Sequence, residues 1–424
     1  MATITSQNPY SKEKIESYKT HTKKEIETIL NQANDRFYKW RETSYSERKQ
    51  LMLAAAKELK KNKDEYARQI TVEMGKPITQ SISEIEKCAW VCEFYAENAE
   101  EHLKDEIIST DATKSYVSYE PIGVVLAIMP WNYPLWQVFR FAAPALMAGN
   151  IGVLKHASNV FGCGLAIQKV FERAGFPKNC FTTLKIKSDK VDYVIKHPHI
   201  KAVTLTGSGP AGAAVAKLAG EHIKKTVLEL GGNNALIVLE DCDIEKTVET
   251  CVQARFQNTG QSCIAGKRLL VHEAIAEEFI KQLLIKVREL KSGDPFDEQT
   301  YIGTLARTDL AETLEEQLES SLKEGATLAL GGNRQEAYFE PTVVTDVTPE
   351  MSIFQEETFG PVLAMTTFND IDEAIELSNN SRFGLGVSLF TSNIKKAEQL
   401  AYRFDEGAVF INEMVKSDPR LPFG

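Results

Sequence analysis

The amino-acid sequence predicts an α/β protein of two domains, each a largely parallel sheet with helices on both faces. Three observations carry this. Short apolar runs alternate with segments of helical spacing beyond Lys114, and a second such series begins after about residue 232. The chain is also long enough, at 424 residues with 43% hydrophobic and 25% charged content, to bury two or three cores. Strand, helix, strand repeated along a chain is the signature of parallel pairing, because parallel neighbours need a crossover and a helix supplies it.

The elements follow in order. The first hundred residues read as helices: "SYSERKQLMLAAAKELKKNKDEYARQITVEMGKP" opens with a Ser44-x-x-Glu47 capping box, continues at helical spacing and ends at Gly75 and Pro77. In "SEIEKCAWVCEFYAE" the same spacing makes Cys88 and Cys92 core residues. "KSYVSYEP" then alternates with period two, which predicts an exposed or edge strand. The apolar runs "GVVLAIM", "GVLK", "AVTLTG" and "ALIVL" are separated by helical stretches such as "QVFRFAAPALMAG" and "AGAAVAKLAGEHIKK". In the second series "RLLVH", "TVVTDV", "PVLAMTTF", "GVSLFT" and "GAVFIN" interleave with charged helices near 274–291, 309–324 and 394–403. No repeat, low-complexity tract or Pro/Gly-rich linker interrupts the pattern.

Composition narrows the function. A formal charge of −10 without a basic stripe argues against nucleic acid as the main partner, though not against a small anionic ligand. No window reaches the roughly 18 apolar residues of a membrane span, and "MATITSQNPYSKEK" lacks a signal-peptide plan, so no membrane association and a cytoplasmic location are expected. Seven scattered cysteines, odd in number, predict reduced thiols. With no Cys-x-x-Cys pair, no metal is expected.

Four stretches carry candidate chemistry. In "QNTGQSCIAG" small neighbours and two glycines let a substrate approach Cys263, whose own N–H is a possible oxyanion donor; a buried, inert cysteine fits these ten residues as well. "IMPWNYP" follows an apolar strand, so Asn132 sits on a loop stiffened by Pro130 and Pro134 at a strand's C-terminal end, either as a preorganised amide donor or as a turn former. "LTGSGPAG" offers Thr206, Gly207, Ser208, Gly209 and Gly212 between a strand and a helix, an arrangement that aims N–H groups at phosphate; Gly207-x-Gly209-x-x-Gly212 matches the dinucleotide fingerprint by count only, with Pro210 inside it, and the missing Lys-Ser/Thr ending argues against a nucleotide hydrolase. "VLELGGNNALIVL" sets Glu229 among apolar residues, as a base of raised pKa or a paired structural charge.

Taken together, "PWNYP", "LTGSGPAG", "LELGG", "QNTGQSC" and "EETFGP" resemble, in order and approximate spacing, the aldehyde dehydrogenase superfamily over essentially the whole chain. The resemblance implies the aldehyde dehydrogenase fold: a Rossmann-like cofactor domain (1–102 and 122–231), an α/β catalytic domain (232–424) and a small oligomerisation strand element (103–121). It also implies Cys263 as nucleophile, Asn132 as oxyanion donor and Glu229 as the base that hydrolyses a thioester. Met129, Pro130 and Trp131 would line the nicotinamide end, Thr206, Gly207, Ser208, Gly212 and Leu230 the pyrophosphate region. Glu357 would hold the nicotinamide ribose with Phe359 beside it, and Lys155 would contact the adenosine ribose. Ser158 stands where family members preferring NAD often carry a glutamate, which favours NADP while allowing NAD, unless Ser158 is a surface residue without influence.

"MPWNYPLWQVFRFAAPALMAGN", "VLKHASN" and "FINEMVKSDPRLPFG" resemble, more narrowly, the bacterial succinate-semialdehyde dehydrogenases. A distal carboxylate on a small aldehyde would then meet Arg140 beyond Trp136, together with Ser262 and Ser417; a packing role for Arg140, with Arg420 in its place, is the alternative. Another small aldehyde, such as glutarate semialdehyde or an uncharged one, is the competing substrate class, and an idle dinucleotide-binding protein the competing function. The family continues beyond "LPFG" with a glycine-rich stretch and a final strand that joins subunits. A homo-oligomer, dimer or tetramer, is expected for the full-length form, and the strand in "KSYVSYE" would lack its partner here.

Overall fold

The computed structural model describes residues 2–423. The chain divides into two compact units, the first built from Glu13–Glu73 and Ser81–Leu230 with the N-terminal residues through Asn8, the second from Pro9–Lys12, Met74–Gln80 and the residues from Gly231 onward.

The first unit holds a five-stranded, wholly parallel sheet in the order Phe181–Thr183, Ile151–His156, Val124–Met129, Ile200–Thr206, Lys225–Glu229. Val124–Met129 is central and reads VVLAIM, as expected for a strand covered on both faces. From it the chain moves outward to one side, then returns and builds the other. Its C-terminal end, beside that of Ile200–Thr206, is therefore the switch point at which open α/β sheets bind ligands.

Two differences from the sequence reading concern the first hundred residues. They open on an antiparallel hairpin, Thr3–Gln7 with Lys14–Lys19, where helices were expected; Ile4 is its inward-facing apolar residue and packs with Tyr18 and Phe161. Instead of one helix to Gly75 there are two, Tyr45–Lys61 and Lys63–Met74. Asn62 separates them, its backbone leaving the helical region at φ −113° and ψ 30° and its side-chain amide donating to the Glu58 carboxylate. The Ser44–Glu47 capping box is formed. "KSYVSYEP" contributes only Tyr116–Val117, paired antiparallel with Glu106–Ile107, and all four residues are exposed.

In the second unit seven strands run in the order Thr327–Leu330, Thr342–Thr345, Val362–Phe368, Gly266–His272, Asn234–Val238, Val387–Phe390, Val409–Ile411. Only the Thr327–Leu330 edge is antiparallel. Alternate residues of each strand enter opposite layers. Leu236, Val238, Leu269 and Val271 pack with Phe256, Phe279 and Leu283, whereas Ala235, Ile237 and Leu270 pack with Leu314, Phe339 and Phe354. Each such apolar side chain withdrawn from water contributes about 1.5–3 kcal/mol, so double-sided burial makes these strands the rigid floor from which loops project. Among the described residues no helix is long and apolar enough to cross a membrane, and no cluster of three His, Cys, Asp or Glu side chains could hold a metal ion.

Candidate active site

In the first unit the loop after Val124–Met129 is clamped at its Pro134 end by His156. Its Nδ1 accepts from the Ala157 N–H at 2.9 Å and lies 3.3 Å from the Met129 carbonyl, while Nε2 lies 2.9 Å from the Pro134 carbonyl. An acceptor at Nδ1 and a carbonyl at Nε2 define the neutral tautomer with its proton on Nε2. Burial lowers His156 to about 4, against the carbonyls that favour its charged form and with Lys155 disfavouring it. The helix Trp136–Met147 begins next, with no side-chain cap from its own N-terminus. Glu84 supplies one: its Oε1 accepts from the N–H groups of Leu135 at 2.9 Å and Trp136 at 3.0 Å.

Between these fixings Asn132 is only 4% exposed, with Pro130 and Trp131 half-buried beside it and Met129 buried. Trp136 is buried under the Lys87 ammonium, 4.3 Å from the ring centroid. Arg140 follows on the same helix, half-buried. Glu229, the last residue of the edge strand, is half-buried too; burial raises its pKa and the Arg140 charge opposes the rise.

The Ile200–Thr206 strand passes through Gly207, whose N–H donates to the Glu229 carbonyl at 2.9 Å, into the helix Gly209–Glu221. Ser208 is the N-cap residue, yet its side chain makes no capping bond, and a methyl group on Gly209 would meet no atom within 4 Å. This helix start is open and presents N–H groups, a fit for a phosphate group. Only Gly212 is required by packing, since its methyl would lie 2.5 Å from Leu230 Cδ2. Lys155 lies near the end of Ile151–His156, on the other side of the central strand, and Ser158 follows that strand, both half-buried; burial lowers the Lys155 pKa.

In the second unit the helix Ile244–Phe256 runs into a distorted turn, Gln257–Gly260, before Cys263. Asn258 (φ 58°), Thr259 (φ 54°) and Gly260 (φ 72°) are consecutively left-handed, a conformation that costs a β-branched threonine of the order of 1–3 kcal/mol. Surrounding bonds hold it. Gln80 Oε1 accepts from the Asn258 N–H at 2.7 Å, Thr259 Oγ1 from Gly303 N–H at 3.1 Å, and Gln261 Oε1 from Ala306 N–H at 2.9 Å. A methyl on Gly260 would collide with the Gly360 carbonyl. That carbonyl, with those of Thr358 and Val362, accepts from the wholly buried Arg255, which thereby fixes the segment carrying Glu357 and Phe359.

Cys263 is half-buried next to the buried Ser262. Behind both lies Lys267, 0% exposed, with Nζ 2.9 Å from the Ser262 carbonyl, 2.8 Å from that of Cys263 and 3.5 Å from Glu357 Oε1. Glu357 Oε1 accepts from the Gly232 N–H at 3.1 Å. The glycine pair is explained by this closeness: a methyl on Gly231 would strike the Glu357 carboxylate, and one on Gly232 would lie 2.5 Å from the Cys263 carbonyl. Ser417 is buried and Phe359 half-buried.

The candidate residues thus fall into two sets, each gathered by its own unit. Asn132, Glu229, Arg140, Trp136, Lys155, Ser158 and the 206–212 loop belong to the first; Cys263, Ser262, Glu357, Phe359 and Ser417 belong to the second. Motif reading missed His156, Glu84, Gln80, Arg255 and Lys267. A signal existed for Lys267 and Arg268: two cations opening the apolar run "LLVH" must be buried with partners, because an unpaired buried charge is prohibitively costly.

The fold is that of an aldehyde-oxidising enzyme, and the aldehyde dehydrogenase family model matches residues 1–424: the chain belongs to the aldehyde dehydrogenase family. It is 46% identical over 424 residues to a probable succinate-semialdehyde dehydrogenase [NADP(+)] of Synechocystis sp., covering 99% of this chain and 93% of that protein. It is 45% identical over 403 residues to succinate semialdehyde dehydrogenase [NAD(P)+] of Escherichia coli, covering 94% and 87%. The crystal structure of succinic semialdehyde dehydrogenase from Streptococcus pyogenes, in complex with NADP+, superposes with a TM-score of 0.97 at 33% identity, covering 99% of this chain and 93% of that one.

Proposed function

We propose that this chain oxidises succinate semialdehyde to succinate with NADP as hydride acceptor. The observation that carries the substrate class is Arg140, a half-buried cation whose charge is felt at the candidate base Glu229; the names of the Synechocystis and Streptococcus relatives support the same substrate and cofactor. A guanidinium so directed suits the far carboxylate of a four-carbon semialdehyde, with the Ser262 and Ser417 hydroxyls as further donors.

In this reading the Cys263 thiolate adds to the aldehyde carbonyl, and the Asn132 amide and the Cys263 N–H receive the resulting oxyanion. The oxyanion collapses to a thioester as the C–H bond releases hydride; the cofactor, when bound, supplies the acceptor. Glu229 takes a proton from water, whose oxygen attacks the thioester, and succinate leaves as Cys263 is restored. Lys155, Ser158, Thr206, Gly207, Ser208 and Gly212 would hold the phosphates and adenosine ribose, and Glu357 the second ribose, with Met129, Pro130, Trp131, Leu230 and Phe359 around them. An uncharged Ser158 beside Lys155 accepts a 2′-phosphate that a carboxylate there would repel. The subunit contact would use the exposed Glu106–Ile107 and Tyr116–Val117 hairpin.

A steady-state matrix of succinate semialdehyde, glutarate semialdehyde and butanal against NADP and NAD tests the reading. We expect kcat/KM to favour succinate semialdehyde over butanal by about 10²-fold, and Arg140→Ala to close that gap. An equal loss on both aldehydes would refute the carboxylate role of Arg140. No cofactor reduction with any aldehyde would refute the enzymatic reading itself.

A further inference from the structure

The ammonium of Lys267 is completely buried and has three donors. Two of them meet the carbonyls of Ser262 and Cys263, at 2.9 and 2.8 Å, and the remaining direction faces Glu357 Oε1 at 3.5 Å. The Ser262 carbonyl belongs to the same planar peptide as the Cys263 N–H. A cation bonded to that oxygen draws electron density from the peptide nitrogen and fixes the plane, so the N–H on its other edge becomes a stronger and better aimed donor.

We propose that Lys267 is a positioning residue for the nucleophile: its ammonium holds and polarises the Ser262–Cys263 peptide as an oxyanion donor, favours the Cys263 thiolate, and ties both to Glu357. The role rests on the reading of Cys263 as the nucleophile. Packing leaves the cluster little freedom, because Gly232 has no side chain where the Cys263 carbonyl lies and Gly231 none where the Glu357 carboxylate lies. Burial and Arg255 oppose the charge on Lys267, whereas Glu357, Cys263 and Glu406 favour it. Lys267 influences the reaction through the peptide and the thiol, not by touching substrate.

The experiment compares wild type with Lys267→Met, which keeps the length and removes the charge, and with Lys267→Arg, which keeps the charge. Thermal unfolding establishes that each is folded. Iodoacetamide alkylation at pH 7 then reads the Cys263 thiolate without aldehyde or cofactor, and the pre-steady-state burst of NADPH reads oxyanion formation and collapse. Losing a whole oxyanion donor costs about 10²–10³ in rate; weakening one should cost less. We expect K267M to slow both alkylation and burst about ten-fold with little change in the aldehyde KM, and K267R to recover part of each. Wild-type alkylation and burst rates in folded K267M would overturn the proposal. If K267M does not fold, Lys267→Gln, which retains a donor without the charge, decides in the same way. A chain that oxidises no aldehyde, yet whose alkylation slows in K267M, would remove the proposed function and leave the role of Lys267 standing.

Discussion

The Met129–Pro134 loop and the Gln257–Cys263 segment each carry one candidate reactive group, and they are held by opposite means. The first is stiffened covalently by two prolines and pinned at its Pro134 end by a neutral imidazole. The second contains no proline; three consecutive left-handed residues are kept in place by side-chain amides, a threonine hydroxyl and a buried cation. A proline loop is already restricted in the unfolded chain, so little is lost on folding, whereas a left-handed Asn-Thr-Gly run must be imposed by tertiary contacts. The contrast teaches that preorganisation can be local, or can be delegated to distant residues. Only the delegated kind exposes the site to changes far from it.

Three perturbations bear on this contrast, beginning with the largest. Gly260→Ala forces a side chain into a left-handed position facing the Gly360 carbonyl. We expect a loss of about 3 kcal/mol or more in denaturant-induced unfolding, with little Cys263 alkylation in the fraction that folds. A variant of native stability and reactivity would mean that the nucleophile segment is not held under constraint.

Next, His156→Ala removes the imidazole and leaves the buried Pro134 carbonyl unsatisfied. About 2–3 kcal/mol of stability should go, and kcat should fall about ten-fold as the Asn132 loop loosens. Wild type itself has an acid signature here. With His156 lowered to about 4 in the fold and near 6.5 when unfolded, the unfolded chain binds the extra proton between those values. Its contribution is therefore complete above pH 6.5 and is lost as pH falls toward 4, by about 3 kcal/mol in all. Unfolding curves over that range should steepen their fall in wild type and flatten in the variant.

The smallest effect belongs to Glu84→Gln, which keeps an acceptor at the start of the Trp136–Met147 helix but gives up the charge. About 1 kcal/mol is expected. Kinetics should change less than for His156→Ala; if they change more, the helix rather than the imidazole sets the loop.

How far the site could be read in advance follows the same division. Asn132 between Pro130 and Pro134 shows its rigidity within five residues, because the constraint is covalent, while amide donor and turn former fit the loop alike. Cys263 does not, and its ten neighbours fit a buried thiol equally well; the co-occurrence of five motifs singled it out. Its supports stayed hidden because each acts over a long stretch of chain: Gln80 on Asn258, Arg255 on Thr358, Gly360 and Val362; the same holds in the other unit for Glu84 on Leu135 and Trp136. The fold divides similarly. Apolar runs bounded by turns located the strands of both sheets, since burial on two faces leaves a continuous hydrophobic signature, while the exposed N-terminal hairpin left none and was taken for helix.

By itself, then, the amino-acid sequence determined the α/β class, the family, the strand ends and the candidate reactive groups. These properties depend on local periodicity and on residue types at short spacing. Tertiary structure alone decided that His156 is neutral, that Lys267 is buried behind Cys263 and that Gly231 and Gly232 have no room for a side chain. Tautomer, burial and steric fit arise only when segments far apart in the chain are packed against one another.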